Sequence, residues 1–231
     1  MAQRTEDLDQ RKSAASPGDG EFGRCSAKRA TLADLPRRGL PRSIEVTLAL
    51  AGLILLSPLV FVAALALSLE MRTPALFRQV RVGKDRRLFV LYKLRTMRPE
   101  TPEAPTHLVG GSAVTKFGGL ARRTKIDELP QLWNVVRGDM SLVGPRPCLP
   151  SQSKLIEARE AANVFAVRPG ITGLAQAQGV DMSDPLLLAS IDGTYVRTRS
   201  PSADLRLLRA TLFGAGLGKD FVAGINHNRV R

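Results

Sequence analysis

The chain has 231 residues, enough for one modest domain plus an appendage, and a formal net charge of +13. This charge favours anionic partners, and nucleic acid, acidic lipid headgroups and phosphorylated substrates all fit it. Two widely separated cysteines and two histidines exclude a disulfide framework and a histidine-rich metal site. An aromatic content of 5% is too low for a base-stacking platform.

Residues 1–41 mix charges of both signs with Ser, Ala, Gly and Pro, and their apolar residues follow neither a helical nor a strand period. Such a stretch cannot bury enough surface to offset its ordering entropy. We therefore predict a disordered N-terminal tail over residues 1–41 and a short C-terminal tail over residues 221–231. A partner-binding role for the N-terminal tail is the alternative.

An uncharged segment follows, because residues 46–69 contain no Asp, Glu, Lys or Arg. As a helix it would be roughly 36 Å long, enough to cross a bilayer core with some tilt. A buried core helix is usually shorter and keeps a polar face. A signal peptide, for which Ala64-Leu65-Ala66 resembles a cleavage site, has a shorter apolar run and a shorter leader. The segment therefore predicts membrane insertion.

Two features favour a bent helix that enters and leaves the same leaflet. Ser57-Pro58 lies at the middle of the run, and proline removes one helical hydrogen bond and clashes with the preceding turn. Basic residues flank both ends, which by the positive-inside rule places both ends in the cytoplasm. They are Arg37, Arg38 and Arg42 before the run, and Arg72, Arg78, Arg81, Lys84, Arg86 and Arg87 after it. We predict a re-entrant membrane helix over residues 42–71, with a kinked single span as the alternative.

We predict a small cytosolic domain over residues 72–220. The fold class predicted for the whole chain is α+β and mostly helical. Residues 76–78 and 88–92 are typical of strands joined by a turn, which makes a short β-hairpin, and residues 99–112 are typical of a loop. A helix is predicted at 129–136, with Asp127 as its N-cap and Gly138 at its end. Further helices are expected at about 152–163, 185–197 and 202–217. The last has an apolar face that suits an interfacial amphipathic helix or a helix on the domain core.

Asp127 and Glu128 are adjacent carboxylates that follow the basic residues Arg122, Arg123 and Lys125. One carboxylate can attack phosphorus as a nucleophile while its neighbour holds a divalent cation. Alternatively, Asp127 only caps a helix and Glu128 only interacts favourably with the helix dipole. The two residues alone leave both interpretations open.

Two rigid loops each carry an arginine. In Gly144-Pro145-Arg146-Pro147, two prolines hold Arg146 on a stiff, extended backbone, and Arg168-Pro169-Gly170-Ile171-Thr172-Gly173 is a second such loop. Guanidinium groups match phosphate oxygens in pairs, so both arginines are candidate phosphate ligands. An ordinary turn is the alternative for each loop.

Taken together, these strings resemble the bacterial sugar transferase family, the monotopic phosphoglycosyl transferases of polyprenyl-phosphate pathways. The resemblance covers roughly residues 42–213, and its most specific part is the run of residues 127–147, in family order throughout. The other matching strings are Phe77-Arg78-Gln79 with Arg81 and Gly83, then Tyr92-Lys93-Leu94-Arg95-Thr96-Met97, and residues 169–176.

The resemblance implies that Asp127 is the nucleophile, that Glu128 helps to bind Mg²⁺, and that the membrane helix breaks at Ser57-Pro58. Family basic residues that contact phosphate or nucleotide fall on three positions, to which two neighbouring arginines are added as candidate substrate-binding residues. These five are Lys93, Arg122 and Arg146, with Arg95 and Arg168. The implied partners are a UDP-sugar, polyprenyl phosphate and membrane lipid, with no nucleic acid. The implied location is the bacterial inner membrane, with the catalytic domain facing the cytoplasm.

The implied reaction has two steps. Asp127 attacks the β-phosphate of a UDP-sugar and UMP leaves, and polyprenyl phosphate then takes the phosphosugar from the covalent intermediate. Exopolysaccharide, capsule, O-antigen and glycoprotein glycan assembly all begin with such a step. The chain departs from many relatives at Val180, where they have an arginine, and in the loosely matching string of residues 191–195. A non-catalytic basic membrane protein that binds acidic lipid, or a scaffold, is the alternative, but it gives no reason for the carboxylate pair.

Overall fold

The computed structural model describes residues 38–101 and 113–213. Most of both predicted tails, residues 102–112 of the predicted loop and residues 214–217 of the last predicted helix lie outside this part. The helices are α1 (Arg42–Met71), α2 (Lys116–Arg123), α3 (Gln131–Arg137), α4 (Ser153–Ala161), α5 (Leu174–Ala177), α6 (Pro185–Thr198) and α7 (Pro201–Phe213). The strands are β1 (Leu76–Val82), β2 (Leu88–Leu94), β3 (Ser141–Val143) and β4 (Gly170–Thr172). The predicted α+β, mostly helical class is confirmed.

Helix α1 contains the uncharged segment and is long and apolar enough to cross a membrane by length and composition. Pro58 lies inside it, yet the helix is continuous over 30 residues. The missing N–H of Pro58 would have bonded to the carbonyl of Ile54, and the Ser57 hydroxyl donates to that carbonyl instead, at 2.8 Å. The hydroxyl thus supplies a donor to the carbonyl that Pro58 leaves free, and the re-entrant bend at Ser57-Pro58 stays a prediction.

Both ends of α1 are held by the rest of the chain. At the start, the Glu45 carboxylate accepts hydrogen bonds from the Ser141 hydroxyl and from the N–H of Leu142, at the beginning of β3. At the end, the Glu70 carboxylate accepts from the N–H groups of Lys116 and Phe117 in the first turn of α2, at 3.0 and 3.3 Å. Helix α1 is thus attached to the rest of the protein at both ends.

The predicted β-hairpin is present and is longer than expected. Strands β1 and β2 pair antiparallel from Leu76 opposite Leu94 to Val82 opposite Leu88. Charged side chains such as Arg78, Arg81 and Lys93 lie on these strands, so the apolar pattern extends less far than the backbone pairing. This is why the sequence pattern predicted only the most apolar part of each strand.

A second, two-stranded sheet was not predicted. Strands β3 and β4 pair parallel, with Ser141 opposite Gly170 and Val143 opposite Thr172. All three residues of β3 are buried, as expected for parallel strands enclosed by helices. The main core forms around this pair, and its fully buried members include Ala49, Val135, Met140, Val143, Val196 and Leu207. The core therefore joins α1, α3, α6 and α7 to the sheet.

The predicted N-cap role of Asp127 is wrong. Asp127 lies within a one-turn 3₁₀ helix, Ile126–Glu128, and α3 begins only at Gln131, with Pro130 in the N-cap position. The reason is that Lys125 adopts a left-handed conformation, with φ 58°, which starts a separate turn ahead of α3. The predicted end of α3 is confirmed, since Gly138 takes φ 93°, a conformation that favours glycine.

The three later helices are confirmed at α4, α6 and α7. In α7, Leu207 and Asp204 are each 1% exposed, while Leu205 is 54% exposed. The face of α7 that carries Leu207 therefore packs on the domain core. Just before α1, the backbone N–H of Leu40 donates to the buried Asp204 carboxylate of α7 at 2.9 Å, so residues 38–41 follow the domain surface.

Candidate active site

The carboxylate pair lies where the hairpin, α2 and the start of α3 meet. Lys93 comes from β2, Arg122 from the last turn of α2, and Arg146 from the loop after β3. All three cations are close enough to act electrostatically on Asp127. The structure thus brings together the carboxylates and three of the five predicted substrate-binding residues.

Asp127 is 8% exposed and has an unusual pKa. Burial raises its pKa from 3.8 to about 6, and the neighbouring Glu128 charge raises it further, while Lys93, Arg122 and Arg146 act in the opposite direction. The carboxylate is consequently ionised at neutral pH but poorly solvated. A poorly solvated carboxylate surrounded by cations is suited to attack an electrophile that brings its own negative charge.

Lys93 has a pKa lowered from 10.5 to about 8, first because it is buried and second because Arg81, Arg146 and Arg122 repel its charge. Such a crowd of like charges is unfavourable unless an anion occupies the space between them. Arg81 was not among the predicted site residues, although it stands in the string that resembles the family. The alternating pattern of β1 could have indicated it, because Arg81 lies on the same face of the hairpin as Phe77, which pairs with Lys93.

Arg122 is positioned by two neighbours. Its Nε donates to the hydroxyl of the buried Thr96 at 2.7 Å. Helix α2 approaches Thr96 so closely that a side chain on Gly118 would lie 2.2 Å from the Thr96 carbonyl oxygen. Burial also lowers the pKa of the Arg122 guanidinium. The glycine therefore permits the approach that places Arg122 beside Asp127.

Glu128 and Arg146 form an ion pair, with Oε1 and Nη2 separated by 2.8 Å. The backbone of Arg146 is fixed from behind by Arg159, whose Nη1 donates to the Arg146 carbonyl at 2.8 Å. Arg159 also pairs with Asp192 at 2.6 Å, and both side chains are 2% exposed. Sequence reasoning missed this buried pair, because only the fold brings α4, α6 and the proline loop together.

The remaining two predicted substrate-binding residues lie apart from Asp127. The Arg95 guanidinium is 5.0 Å from the ring centroid of Phe77, which the Lys93 ammonium also approaches, at 5.1 Å. Arg168 donates from Nε to the Gly138 carbonyl at 2.8 Å, at the far end of α3. Arg95 thus neighbours the site through Phe77, whereas Arg168 supports a different part of the molecule.

Val180, which replaces the arginine of many relatives, packs against an apolar cluster that includes Cys148, Leu155, Ala175 and Leu188. An apolar side chain in such a cluster makes no polar contact with a ligand. The departure at Val180 is therefore accommodated by packing.

A largely apolar groove of about 760 Å³ adjoins the carboxylates. One wall is α1, from Gly52 to Ala64, and the other is made by the hairpin and by the residues that follow Glu128, with Arg78 as a charged lining residue. The groove residues on this second wall are Leu76, Arg78, Tyr92, Leu94, Leu129, Pro130, Leu132 and Trp133. The volume lies within the range of ligand-binding pockets.

The model of the family described as bacterial sugar transferase matches residues 37–216, which include the whole site. The chain belongs to the bacterial sugar transferase family. It is accordingly an enzyme, a transferase of phosphoglycosyl groups, and the predicted family and enzyme class are confirmed.

Three curated relatives show the range of this sugar transferase family. The chain is 42% identical to a UDP-glucose:undecaprenyl-phosphate glucose-1-phosphate transferase of Caulobacter vibrioides, over 74% of the chain and 67% of the relative. It is 38% identical to an uncharacterised sugar transferase of Bacillus subtilis, over 75% and 85%. It is 33% identical to a UDP-N-acetylgalactosamine-undecaprenyl-phosphate N-acetylgalactosaminephosphotransferase of Aeromonas hydrophila, over 75% of the chain and 43% of the relative.

Proposed function

We propose that this sugar transferase moves a sugar-1-phosphate from a UDP-sugar to undecaprenyl phosphate through a covalent intermediate on Asp127, and so begins the assembly of a surface glycan. The observation that carries the proposal is the buried Asp127 carboxylate, with its pKa near 6, facing Lys93, Arg122 and Arg146. A nucleoside diphosphate would bring negative charge to a site in which cations, including Arg81, outnumber the two carboxylates. The names of the relatives supply the substrate class.

In the first step, an oxygen of Asp127 bonds to the β-phosphorus of the UDP-sugar as the bond from that phosphorus to the bridging oxygen breaks. UMP leaves with the bridging oxygen and its electron pair. Lys93, Arg122 and Arg146 stabilise the charge that develops on the phosphoryl oxygens. In the second step, a phosphate oxygen of the lipid bonds to the same phosphorus, and the Asp127 carboxylate is released as the leaving group.

Magnesium fits the donors at this site. Mg²⁺ is usually held by one or two carboxylates together with substrate phosphates and water, and Asp127 and Glu128 are adjacent carboxylates. Among the described residues there is no group of three or more metal-ligating acidic, His or Cys side chains. We propose that Glu128 holds the ion. When bound, Mg²⁺ would neutralise the diphosphate and favour UMP departure.

The apolar groove is proposed to receive the first isoprene units of the acceptor. It lies between the membrane helix and Leu129-Pro130, which follow the carboxylates directly. A lipid tail in this groove would keep its phosphate near Asp127, and Arg78 could attract that phosphate. The face of α1 that does not line the groove carries Ile54 and Leu55, which are 72% and 76% exposed, as expected for contact with the bilayer.

The membrane arrangement is proposed to be monotopic, with both ends of α1 on the cytoplasmic face of the inner membrane. The support is that Glu45 and Glu70, at opposite ends of α1, both bond to the same domain. A helix that crossed the bilayer would place its two ends on opposite sides of the membrane, where a single domain could not contact both. The basic residues at both ends agree with this placement.

The mechanism is tested by UMP release from UDP-sugars with undecaprenyl phosphate and Mg²⁺. We expect no release by Asp127→Asn, normal release by the exposed control Asp85→Asn, and a trapped mass increase of one phosphosugar on the Asp127 peptide of wild type. Equal turnover by Asp127→Asn would refute the mechanism and favour a scaffold role. A panel of UDP-sugars in the same assay identifies the donor.

The topology is tested with single cysteines at the two ends of α1, Ser43→Cys and Arg72→Cys, in a Cys25→Ser background. Both positions are exposed, whereas the native Cys148 is buried. We expect both cysteines to react with a membrane-impermeant maleimide only after the cells are opened. Labelling of one of the two from outside intact spheroplasts would refute the monotopic arrangement.

A further inference from the structure

A second cavity, of about 200 Å³, lies at the start of α1 and is strongly basic. We infer that it binds the phosphate of an anionic phospholipid headgroup. Its lining contains five basic side chains and one acidic side chain: Arg38, Arg42, Lys84, Arg168, Arg199 and Glu45. Its size suits one phosphate group and the first atoms of a headgroup.

Three of the five cations have no direct ion-pair partner in the described part of the chain, although Arg199 interacts electrostatically with Asp204. Within residues 38–101 and 113–213, Arg38, Arg168 and Arg199 form no ion pair, and the enclosed Nε of Arg199 makes no hydrogen bond. By contrast, Arg42 pairs with Glu45 at 3.2 Å, so the charge of Arg42 is offset within the cavity wall. The cavity therefore presents an excess of positive charge to whatever enters it.

The acidic residue nearest to Arg199 does not cancel this charge by direct pairing. The two oxygens of the Asp204 carboxylate are occupied by the N–H of Leu40 and by the hydroxyl of Tyr195, at 2.9 Å each. Arg168 uses Nε for the Gly138 carbonyl, which leaves its two terminal nitrogens for a ligand. Terminal guanidinium nitrogens pair well with phosphate oxygens.

The position of the cavity favours a lipid source for the phosphate. Arg42 begins α1, and Ile44 and Leu48, within the next two turns, are 46% and 48% exposed. An apolar surface directly beside a basic cavity matches the boundary between acyl chains and headgroups. Helix α1 would thus be held at a fixed depth by a headgroup at its first turn.

The cavity is separate from the candidate active site. The charges that act on Asp127 are those of Glu128, Lys93, Arg122 and Arg146, and none of these residues lines the cavity. The inference goes beyond the proposed chemistry and does not depend on it. Lipid binding and catalysis can therefore be lost independently.

The test is native mass spectrometry of the full chain in neutral detergent, titrated with phosphatidylglycerol or with phosphatidylcholine. The variant is the double substitution Arg38→Gln/Arg199→Gln, and the matched control is Arg209→Gln, an exposed arginine of α7. An interaction of about 1 kcal/mol per basic residue predicts about five-fold weaker phosphatidylglycerol binding per arginine removed. We expect roughly 25-fold weaker binding for the double variant and no change for the control.

Two results would overturn the inference. Equal phosphatidylglycerol binding by wild type and the double variant would show that the cavity takes no headgroup. Binding of inorganic phosphate alone, at concentrations that displace the lipid and with loss in the double variant, would show a soluble anion site instead. UMP release is measured on the same preparations. Because the double variant leaves Asp127 and its cations intact, a loss of lipid binding with UMP release retained concerns the cavity and not the proposed chemistry.

Discussion

Replacing Asp127 by asparagine should abolish transfer and yet stabilise the folded protein above pH 6. Burial and the Glu128 charge raise the pKa of Asp127 from 3.8 to about 6. Because the folded pKa lies above the unfolded one, the folded state favours the protonated carboxyl. The stability that protonation contributes is fully present below about pH 4 and is lost as the pH rises through 6. Asparagine imitates the protonated form at every pH.

The magnitude follows from the same two pKa values. Their difference corresponds to roughly 3 kcal/mol of folding free energy. Asp127 is only 8% exposed, so solvent screening reduces this value little. Asparagine has two N–H donors where a protonated carboxyl has one O–H donor, and an unsatisfied extra donor costs about 1 kcal/mol of folding free energy. The expected net gain at pH 8 is about 2 kcal/mol, or about 4–8 °C in melting temperature for a chain of this size.

Thermal unfolding in neutral detergent at pH 4 and pH 8 measures the effect. Wild type is compared with Asp127→Asn and with Asp85→Asn, whose aspartate side chain is 58% exposed. We expect the stabilising difference at pH 8 to be much smaller at pH 4, and the control to follow wild type at both. A lower melting temperature for Asp127→Asn at pH 8, or a difference independent of pH, would refute the reasoning.

Three further predictions concern the pH profile, the anchor of α1 and the groove. In single-turnover experiments, phosphosugar formation should rise through about pH 6 as Asp127 ionises and fall near pH 8 as Lys93 loses its proton; a profile flat from pH 5 to 9 would contradict this. Glu45→Gln should destabilise the protein by about 1–3 kcal/mol in thermal unfolding, because a buried acceptor of several hydrogen bonds is weakened; an unchanged melting temperature would argue against an anchoring role. Leu53→Trp, which fills the groove, should raise the KM for undecaprenyl phosphate several-fold and leave the KM for the UDP-sugar unchanged; an increase in both would show that the groove is not the lipid route.

The sequence predicted those features that depend on local pattern. The uncharged run of residues 46–69 predicted α1, the apolar alternation predicted the hairpin, and Gly138 marked the end of α3. The carboxylate pair and Arg146 could be identified as a candidate site because they lie in one contiguous string. The parallel pairing of β3 with β4 could not be predicted, because three-residue buried strands carry too short a pattern to distinguish from loop.

The sequence by itself determined the family, the enzyme class, the charge and the long apolar helix, since each depends on residue identity and order along the chain. Only the tertiary structure decided which cations meet the carboxylates. In the folded chain, Lys93 and Arg122 lie beside Asp127, and Arg168 lines a separate basic cavity. The buried Arg159 donates a hydrogen bond to the Arg146 carbonyl. The physical reason is that electrostatic interaction depends on distance through space and on burial, and residues far apart in sequence acquire both only when the chain has packed.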